Sequence, residues 1–124
     1  ADRMQIVRIQ TNIRSADIPE KLEQDVSYGL SIAMDMPSDK FVVILEPAVR
    51  IRVGFENKEV AVAVVNFQTT RPSSRTENDA YAKKLTSILS DQLKLDSTRI
   101  FISFDFKDAK SFAVQGKTIA SLYE

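Results

Sequence analysis

The sequence of 124 residues contains no cysteine and no histidine. Without cysteine, disulfides, thiolate nucleophiles and thiolate metal sites are all excluded. Without histidine, the chain lacks the commonest general base, the commonest transition-metal ligand and the side chain that titrates near neutral pH. Many enzyme classes are therefore excluded, and any catalysis would depend on carboxylates, lysine, tyrosine or the chain terminus. We expect neither a metal nor another cofactor.

An excess of one charge and a long apolar run are also lacking. The 17 basic side chains balance 17 acidic ones, so neither nucleic acid nor an anionic membrane surface is favoured as a partner. No apolar run approaches the roughly 20 residues of a membrane-spanning helix, so we expect no membrane insertion. No secretory signal precedes the first predicted strand. The length and the hydrophobic content of 44% fit one ordinary globular domain over residues 1–124.

Two parts of the chain are alike in sequence and in the order of their predicted elements. Each has a strand-like segment, a polar loop, a helix-like stretch and a second apolar run. The matched segments are residues 7–12 and 65–70, then residues 37–44 and 95–102. The repeat extends over about residues 4–46 and 62–106. It predicts one domain built from two β-α-β halves.

Hydrophobic patterning predicts the individual elements of each half. The predicted strands are residues 5–10, 41–45, 60–67 and 100–106, with a short edge strand at 50–53. One helix is predicted to open at Asp17-Ile18-Pro19-Glu20, and a second at Thr76-Glu77-Asn78-Asp79. The last stretch, residues 107–124, is less regular and predicts short pieces that pack or pair.

Two such halves can form a four-stranded mixed sheet with both helices on one face, an α+β fold. The other face would then be bare. Strands as apolar as residues 41–45 and 60–67 indicate that this second face is covered. The same face of another subunit is the most economical cover, so the pattern predicts an obligate oligomer.

Several short segments, none of them decisive alone, recur in a specific order over nearly the whole chain. They are the strand ending in Thr11-Asn12, the first helix, Pro37 before residues 41–45, Gly54 after residues 50–53, Asn78 and Tyr81 in the second helix, and residues 93–104. Together they resemble the macrophage migration inhibitory factor (MIF) family of the tautomerase superfamily. The resemblance implies a homotrimer of β-α-β-β-α-β subunits whose sheets line a central channel, which would cover the bare face.

The resemblance also implies an activity. Members of the family are keto–enol tautomerases of phenylpyruvate- or dopachrome-like compounds, and some are secreted cytokine-like signals. Their catalytic base is an N-terminal proline, whose amine stays uncharged in an apolar pocket. A lysine after the first helix and polar groups of a neighbouring subunit hold the substrate. The implied localisation is cytoplasmic, with release by an unconventional route.

The chain departs from this pattern at each substrate-contacting position that we align. Gln5 stands at the catalytic proline, and neither of its amide nitrogens is a base near neutral pH. Met36 replaces the substrate-binding lysine and Gln68 an isoleucine whose amide contacts substrate. Phe101 and Ser103 replace the neighbouring subunit's tyrosine and asparagine. These five residues therefore predict a degenerate pocket with no intact catalytic group.

The residues before Gln5 bear on the same chemistry. Ala1, Asp2, Arg3 and Met4 precede it, and methionine is removed efficiently only before small residues. We therefore expect the chain terminus to be displaced from the mouth of the pocket.

These departures leave three hypotheses. The first is a tautomerase-impaired, cytokine-like signalling or binding protein whose partner is a receptor or a small aromatic ligand. The second is an active keto–enol tautomerase with a non-standard pocket. The third is a structural subunit that mixes with an active paralogue. The titratable candidates for the second are Lys40, Tyr81, Asp105, Lys107 and Lys117, and a solvated surface role is the more common one for each.

Overall fold

The computed structural model describes residues 4–55 and 59–122. Its strands are β1 (Gln5–Thr11), β2 (Phe41–Glu46), β3 (Ala63–Thr69), β4 (Ile100–Phe106), β5 (Ala113–Val114) and β6 (Lys117–Thr118). Its α-helices are α1 (Leu22–Met34), α2 (Arg75–Leu93) and the single turn α3 (Ile119–Leu122). The order β1-α1-β2 is followed by β3-α2-β4, as the two predicted halves require.

The first four strands form one mixed sheet in the order β2-β1-β3-β4. Within each half the two strands are parallel, so the intervening helix is a crossover connection. The halves join at the centre, where β1 and β3 are antiparallel and Gln5 opposes Thr69. The predicted α+β class and the four-stranded mixed sheet are confirmed.

One face of the sheet and both helices enclose the core. Alternate residues of β1 and β3, among them Val7 and Phe67, are fully buried, as period-2 alternation requires. They pack with the apolar stripes of the helices, which include Leu30 and Leu85, in a single cluster. Both helices therefore cover the same face of the sheet, as predicted.

The opposite face is not covered within the described chain. Val42 of β2 and Phe101 of β4 point to it and are 42% and 44% exposed. In the single chain α1 packs on one side of β2, so the prediction that a second subunit covers the other side of residues 41–45 stays a prediction. No described residue of the same chain covers the second side.

The first helix starts later than the sequence predicts. Asp17 ends a 3-10 turn, Ser15–Asp17, and α1 begins at Leu22 without a side-chain cap. The Asp17 carboxylate accepts a hydrogen bond from Arg14 at 3.2 Å, so it does not cap the helix. The prediction that the first helix opens at Asp17 is therefore wrong.

The second helix has a complete capping box that the sequence analysis did not identify. The Ser74 hydroxyl accepts from the Glu77 backbone N–H at 3.1 Å, and the Glu77 carboxylate accepts from the Ser74 N–H at 2.9 Å. The spacing Ser-x-x-Glu is the usual signal for this motif. The helix therefore begins at Arg75, close to the predicted start.

The predicted edge strand at residues 50–53 does not form. This segment has no ladder partner in the described chain, although Arg50 and Arg52 are exposed in alternation with less exposed neighbours. Pro47 ends β2 because it has no backbone N–H to donate. Ala48 then adopts a left-handed conformation, with φ of 57°, which turns the chain away from the sheet.

Strand β3 begins three residues later than predicted. At residues 60–62, side chains at the end of β1 form hydrogen bonds to the backbone in place of strand-to-strand pairing. The Asn12 amide donates to the Val60 carbonyl and accepts from the Val62 N–H, both at 2.9 Å. The Thr11 hydroxyl donates to the Val62 carbonyl at 2.8 Å. The Thr11-Asn12 pair therefore fixes the approach of the chain to β3.

The C-terminal stretch packs and pairs, as predicted. Strands β5 and β6 form a two-stranded antiparallel hairpin that leads into α3. Ile119 is 1% exposed, and its N–H donates to the Phe112 carbonyl at 2.8 Å.

Candidate functional site

Gln5 lies at the first position of β1, between Phe41 of β2 and Thr69 of β3. Its side chain is fully buried on the helix-facing side of the sheet. Neither Nε2 nor Oε1 of the amide has a hydrogen-bond partner among the described residues. A buried polar group without a partner destabilises the fold by about 1–3 kcal/mol. The position that the resemblance assigns to the catalytic base therefore holds an uncharged, unsatisfied amide.

The peptide before Gln5 runs beside the end of β3. The Met4 carbonyl accepts hydrogen bonds from the backbone N–H and the hydroxyl of Thr70, at 3.4 and 3.3 Å. Both distances are at the long end of the normal range. Gln5 thus pairs with a strand on each side, and its backbone nitrogen forms an ordinary peptide bond with Met4.

Met36 lies in the core. It is 8% exposed, belongs to the main apolar cluster, and its N–H donates to the Ser31 carbonyl at 2.9 Å. The preceding Asp35 is left-handed, with φ of 53°, and ends α1. An apolar thioether therefore occupies the position that the resemblance assigns to a substrate-binding lysine.

The other three predicted site residues lie on the opposite face of the sheet. Gln68 is registered between Ile6 and Asp105, and Phe101 opposes Val64. On the same face, Ser103 accepts a hydrogen bond from the Asn66 amide at 3.0 Å. Within one chain the structure does not bring Phe101 and Ser103 to Gln5. The resemblance places their counterparts in a neighbouring subunit, so this separation is the arrangement it implies.

A cation that sequence reasoning missed lies at the same end of the sheet as Gln5. The Arg71 guanidinium donates from Nη1 to the Met34 carbonyl at 2.9 Å and from Nη2 to the Tyr81 hydroxyl at 3.0 Å. Arg71 follows β3 in a loop, where an isolated arginine belongs to no recognisable pattern. Its closeness to the end of α1 depends on contacts between residues that are distant in sequence.

The remaining titratable candidates do not form a catalytic cluster. Lys107 pairs with Asp105 at 3.6 Å near the end of β4. Lys40 ends the 3-10 turn Ser38–Lys40, and Lys117 lies exposed in β6. The described residues contain no group of three or more acidic side chains that could hold a metal ion.

The acids with shifted pKa values serve as caps. Hydrogen bonds from Ser74, the backbone one first, lower the pKa of Glu77. Hydrogen bonds from Thr98 likewise lower the pKa of Asp96, and the bond from the backbone N–H has a larger effect than the bond from the hydroxyl. Stabilising the charged form in this way is the expected effect of such bonds. The Glu77 carboxylate caps α2 and the Asp96 carboxylate caps a 3-10 turn, and with lowered pKa values neither is poised to accept a proton near neutral pH.

None of the described helices is long and apolar enough to cross a membrane.

Comparison with known proteins agrees with this arrangement of elements. The model of the family "Macrophage migration inhibitory factor (MIF)" matches residues 4–120. D-dopachrome decarboxylase of Mus musculus is 25% identical over 122 residues, 96% of this chain and 100% of the relative. Macrophage migration inhibitory factor of Xenopus laevis is 24% identical over 117 residues, 94% of this chain and 100% of the relative.

Solved structures share the fold. The macrophage migration inhibitory factor of Trichinella spiralis superposes with a TM-score of 0.83 at 18% identity, over 91% of this chain and 98% of that one. The homologue from Prochlorococcus marinus superposes with a TM-score of 0.82 at 17% identity, over 92% of this chain and 98% of that one. With the family model matching almost the entire chain, the protein belongs to the MIF family of the tautomerase superfamily.

Proposed function

We propose that this chain is a MIF-like binding protein with a cytokine-like role, in which proline-dependent tautomerase activity is lost or strongly impaired. The observation that carries the proposal is the buried strand residue Gln5, at the position that the resemblance assigns to the catalytic proline. Its partner would be a receptor or a small aromatic ligand.

The chemistry of keto–enol interconversion supports this proposal. A base must move a proton between carbon and oxygen, and its pKa must lie near the working pH. The amide side chain of Gln5 and its peptide nitrogen both lack a basic lone pair. Met36 supplies no charge to orient a carboxylate substrate. On the proposed alignment, Gln5 and Met36 replace two groups with chemical roles, while the core of the fold is intact.

A tautomerase assay with phenylpyruvate tests the proposal. We expect kcat/KM at least about 100-fold below that of a proline-bearing relative, since a positioned general base contributes about 10²–10⁴. Met36→Lys is the matched variant, and we expect it to restore no turnover because the base is still missing. Turnover comparable to the relative would overturn the proposal and favour an active tautomerase with a non-standard pocket.

We also propose that the exposed sheet face is the contact surface of a homotrimer. Val42 and Phe101 leave apolar area on this face, next to the Arg8–Glu46 ion pair at 3.1 Å. The segment at residues 50–53 has no ladder partner in the described chain, so it offers backbone donors and acceptors to a second copy. A second copy of the chain could cover the apolar side chains and pair with the backbone of residues 50–53.

Val42→Glu should separate the subunits. A carboxylate at this position would be desolvated in the contact, whereas in the single chain it is exposed to water. Sedimentation equilibrium should give the mass of three chains for the wild type and of one chain for the variant. Ile32→Glu, the same type of change at a 58% exposed site on α1, should leave the trimer intact. A monomeric wild type at micromolar concentration would refute the assembly.

A further inference from the structure

The exposed side of the helical layer contains a groove between α1 and α2, which we name the outer groove. Its lining includes Asp25, Tyr28 and Ile32 of α1 and Ile88, Asp91 and Gln92 of α2. None of the lining residues belongs to the site that the resemblance predicts. The three residues of α1 follow one another at intervals of three and four, so they stand on one helix face and span about 10 Å along its axis.

The middle of the outer groove is apolar. Tyr28 is 63% exposed and Ile32, one helical turn further on, is 58% exposed. Between them lies Gly29, where a Cβ atom would be 2.6 Å from Cδ1 of Ile88 on the facing helix. The glycine therefore lets α1 approach α2 closely, and Ile88 forms the floor of the groove. Contiguous exposed apolar surface with a polar rim is typical of an interaction site.

One end of the outer groove is lined by hydrogen-bond acceptors. Asp25 Oδ2 accepts from Gln92 Nε2 at 2.6 Å, and Gln92 Oε1 is buried without a hydrogen-bond partner among the described residues. Asp91 forms no ion pair within the described part of the chain. Lys21 approaches Asp25 only to 3.8 Å and is 69% exposed, so this ion pair contributes little. Two carboxylates and an amide oxygen are thus available to an incoming donor.

The charges of the groove indicate what kind of molecule fits it. Lys84 also lines the groove, but it lies seven residues before Asp91 on α2, about 10 Å along the helix axis. The acidic end therefore matches a cation, and the apolar middle matches an aliphatic side chain beside that cation. The lining residues include no arginine, so the same groove of a second copy supplies no guanidinium.

We propose that the outer groove binds an amphipathic helix of another protein, with an arginine at the acidic end and an aliphatic side chain one turn away that packs on Ile32. The guanidinium donates to the carboxylates of Asp25 and Asp91 and stacks on the Tyr28 ring. A rotation of the covered Gln92 amide brings its Oε1 atom to the same donor. This inference rests on the proposed function, because it names the docking surface and the partner chemistry of a binding protein.

The chemistry of these groups selects arginine over lysine. A guanidinium presents five N–H donors in a planar fork, binds carboxylates with two parallel hydrogen bonds and stacks on aromatic rings. An ammonium is a compact point charge and does not stack in this way. A helix is selected because the side chains of α1 form a ridge at intervals of three and four, and such ridges pack into the grooves of another helix.

Binding of a peptide to the wild-type protein is the first test. The probe is a capped helical peptide of alanine and glutamine, with one arginine and a leucine one helical turn before and after it. We expect saturable shifts of the ¹⁵N–¹H signals of Tyr28, Ile32 and the Gln92 side chain. The same peptide with citrulline keeps the shape without the charge and should bind at least about tenfold more weakly. Equal affinity for both peptides, or no saturable shift at millimolar peptide, would overturn the inference.

Variants assign the binding to the acidic end. Asp25→Asn should weaken binding of the arginine peptide at least about tenfold, although the new side chain still accepts from Gln92. Asp79→Asn is the control, because Asp79 is an exposed acid of the same helix as Asp91, about 18 Å from it along the axis. Undiminished binding by folded Asp25→Asn would contradict the proposed contact. If that variant does not fold, Asp91→Asn, a change at an exposed position, decides in its place.

The occupant and the proposed function can be tested separately. If the wild type sediments as six chains and Ile32→Glu as three, a second copy occupies the groove and the inference is wrong. Turnover of phenylpyruvate would overturn the proposed loss of activity, whatever the result with the peptide. Absence of peptide binding without turnover would overturn the docking surface and leave the proposed loss of activity standing.

Discussion

Phe67→Ala should lower the free energy of unfolding by about 3–5 kcal/mol, the usual cost of removing a buried aromatic side chain. Phe67 lies on the central strand β3 and is fully buried. Its ring stacks on Tyr81 from α2 and contacts Phe104 of β4, with centroids 6.1 and 5.6 Å apart. Truncation therefore opens a cavity where the sheet meets α2. Since domains of this size are stable by about 5–15 kcal/mol, the loss is a large share of the total.

Phe55→Ala is the matched control, because Phe55 is 98% exposed. We expect its stability to stay within about 0.5 kcal/mol of the wild type. Both variants should be unfolded in urea at one protein concentration, because assembly would make the midpoint depend on concentration. A loss below about 1 kcal/mol for Phe67→Ala would contradict the placement of this ring in the core.

Gln5→Met should raise the free energy of unfolding by about 1–3 kcal/mol, the opposite effect to Phe67→Ala. Methionine has nearly the shape of glutamine, and it removes a buried amide whose Nε2 and Oε1 have no partner among the described residues. Apolar replacement of an unsatisfied polar group is neutral or favourable, whereas most substitutions at fully buried positions destabilise. The gain would show that Gln5 is retained at a cost to stability, as is common for residues with a functional role.

Gln24→Met supplies the comparison, because Gln24 is exposed on α1 and the chemical change is the same. Its unfolding free energy should stay within about 0.5 kcal/mol of the wild type. A destabilisation of about 1 kcal/mol or more by Gln5→Met, on the order of one lost hydrogen bond, would show that the amide is bonded in solution.

The strands and helices were predictable where one pattern of apolar residues determines the element. The bounds of β4, Ile100–Phe106, are those predicted, because alternate residues from Ile100 to Phe104 pack on the core. Predictions failed where side chains took over the role of the backbone ladder. Thr11 and Asn12 bond the chain at Val60 and Val62, so β3 starts later than its apolar run. The internal repeat over residues 4–46 and 62–106 stays a prediction.

The site was only partly predictable. Alignment on the strand of Gln5 located that residue, but the sequence holds no signal for the complete burial of its amide. Arg71 was missed because its role depends on a hydrogen bond to Met34, a residue 37 positions earlier. Contacts of this kind are determined by the packing of α1 against the sheet, so local patterns do not report them.

The most direct test of the central claim is the exchange of the C3 protons of phenylpyruvate for deuterium in D₂O, followed by ¹H NMR with and without the protein. This exchange reports proton transfer at carbon whichever residue performs it. We predict that the protein leaves the exchange rate at the buffer value, while a proline-bearing relative accelerates it. An acceleration that saturates with substrate and approaches that of the relative would contradict the claim that Gln5 replaces the catalytic base without a substitute.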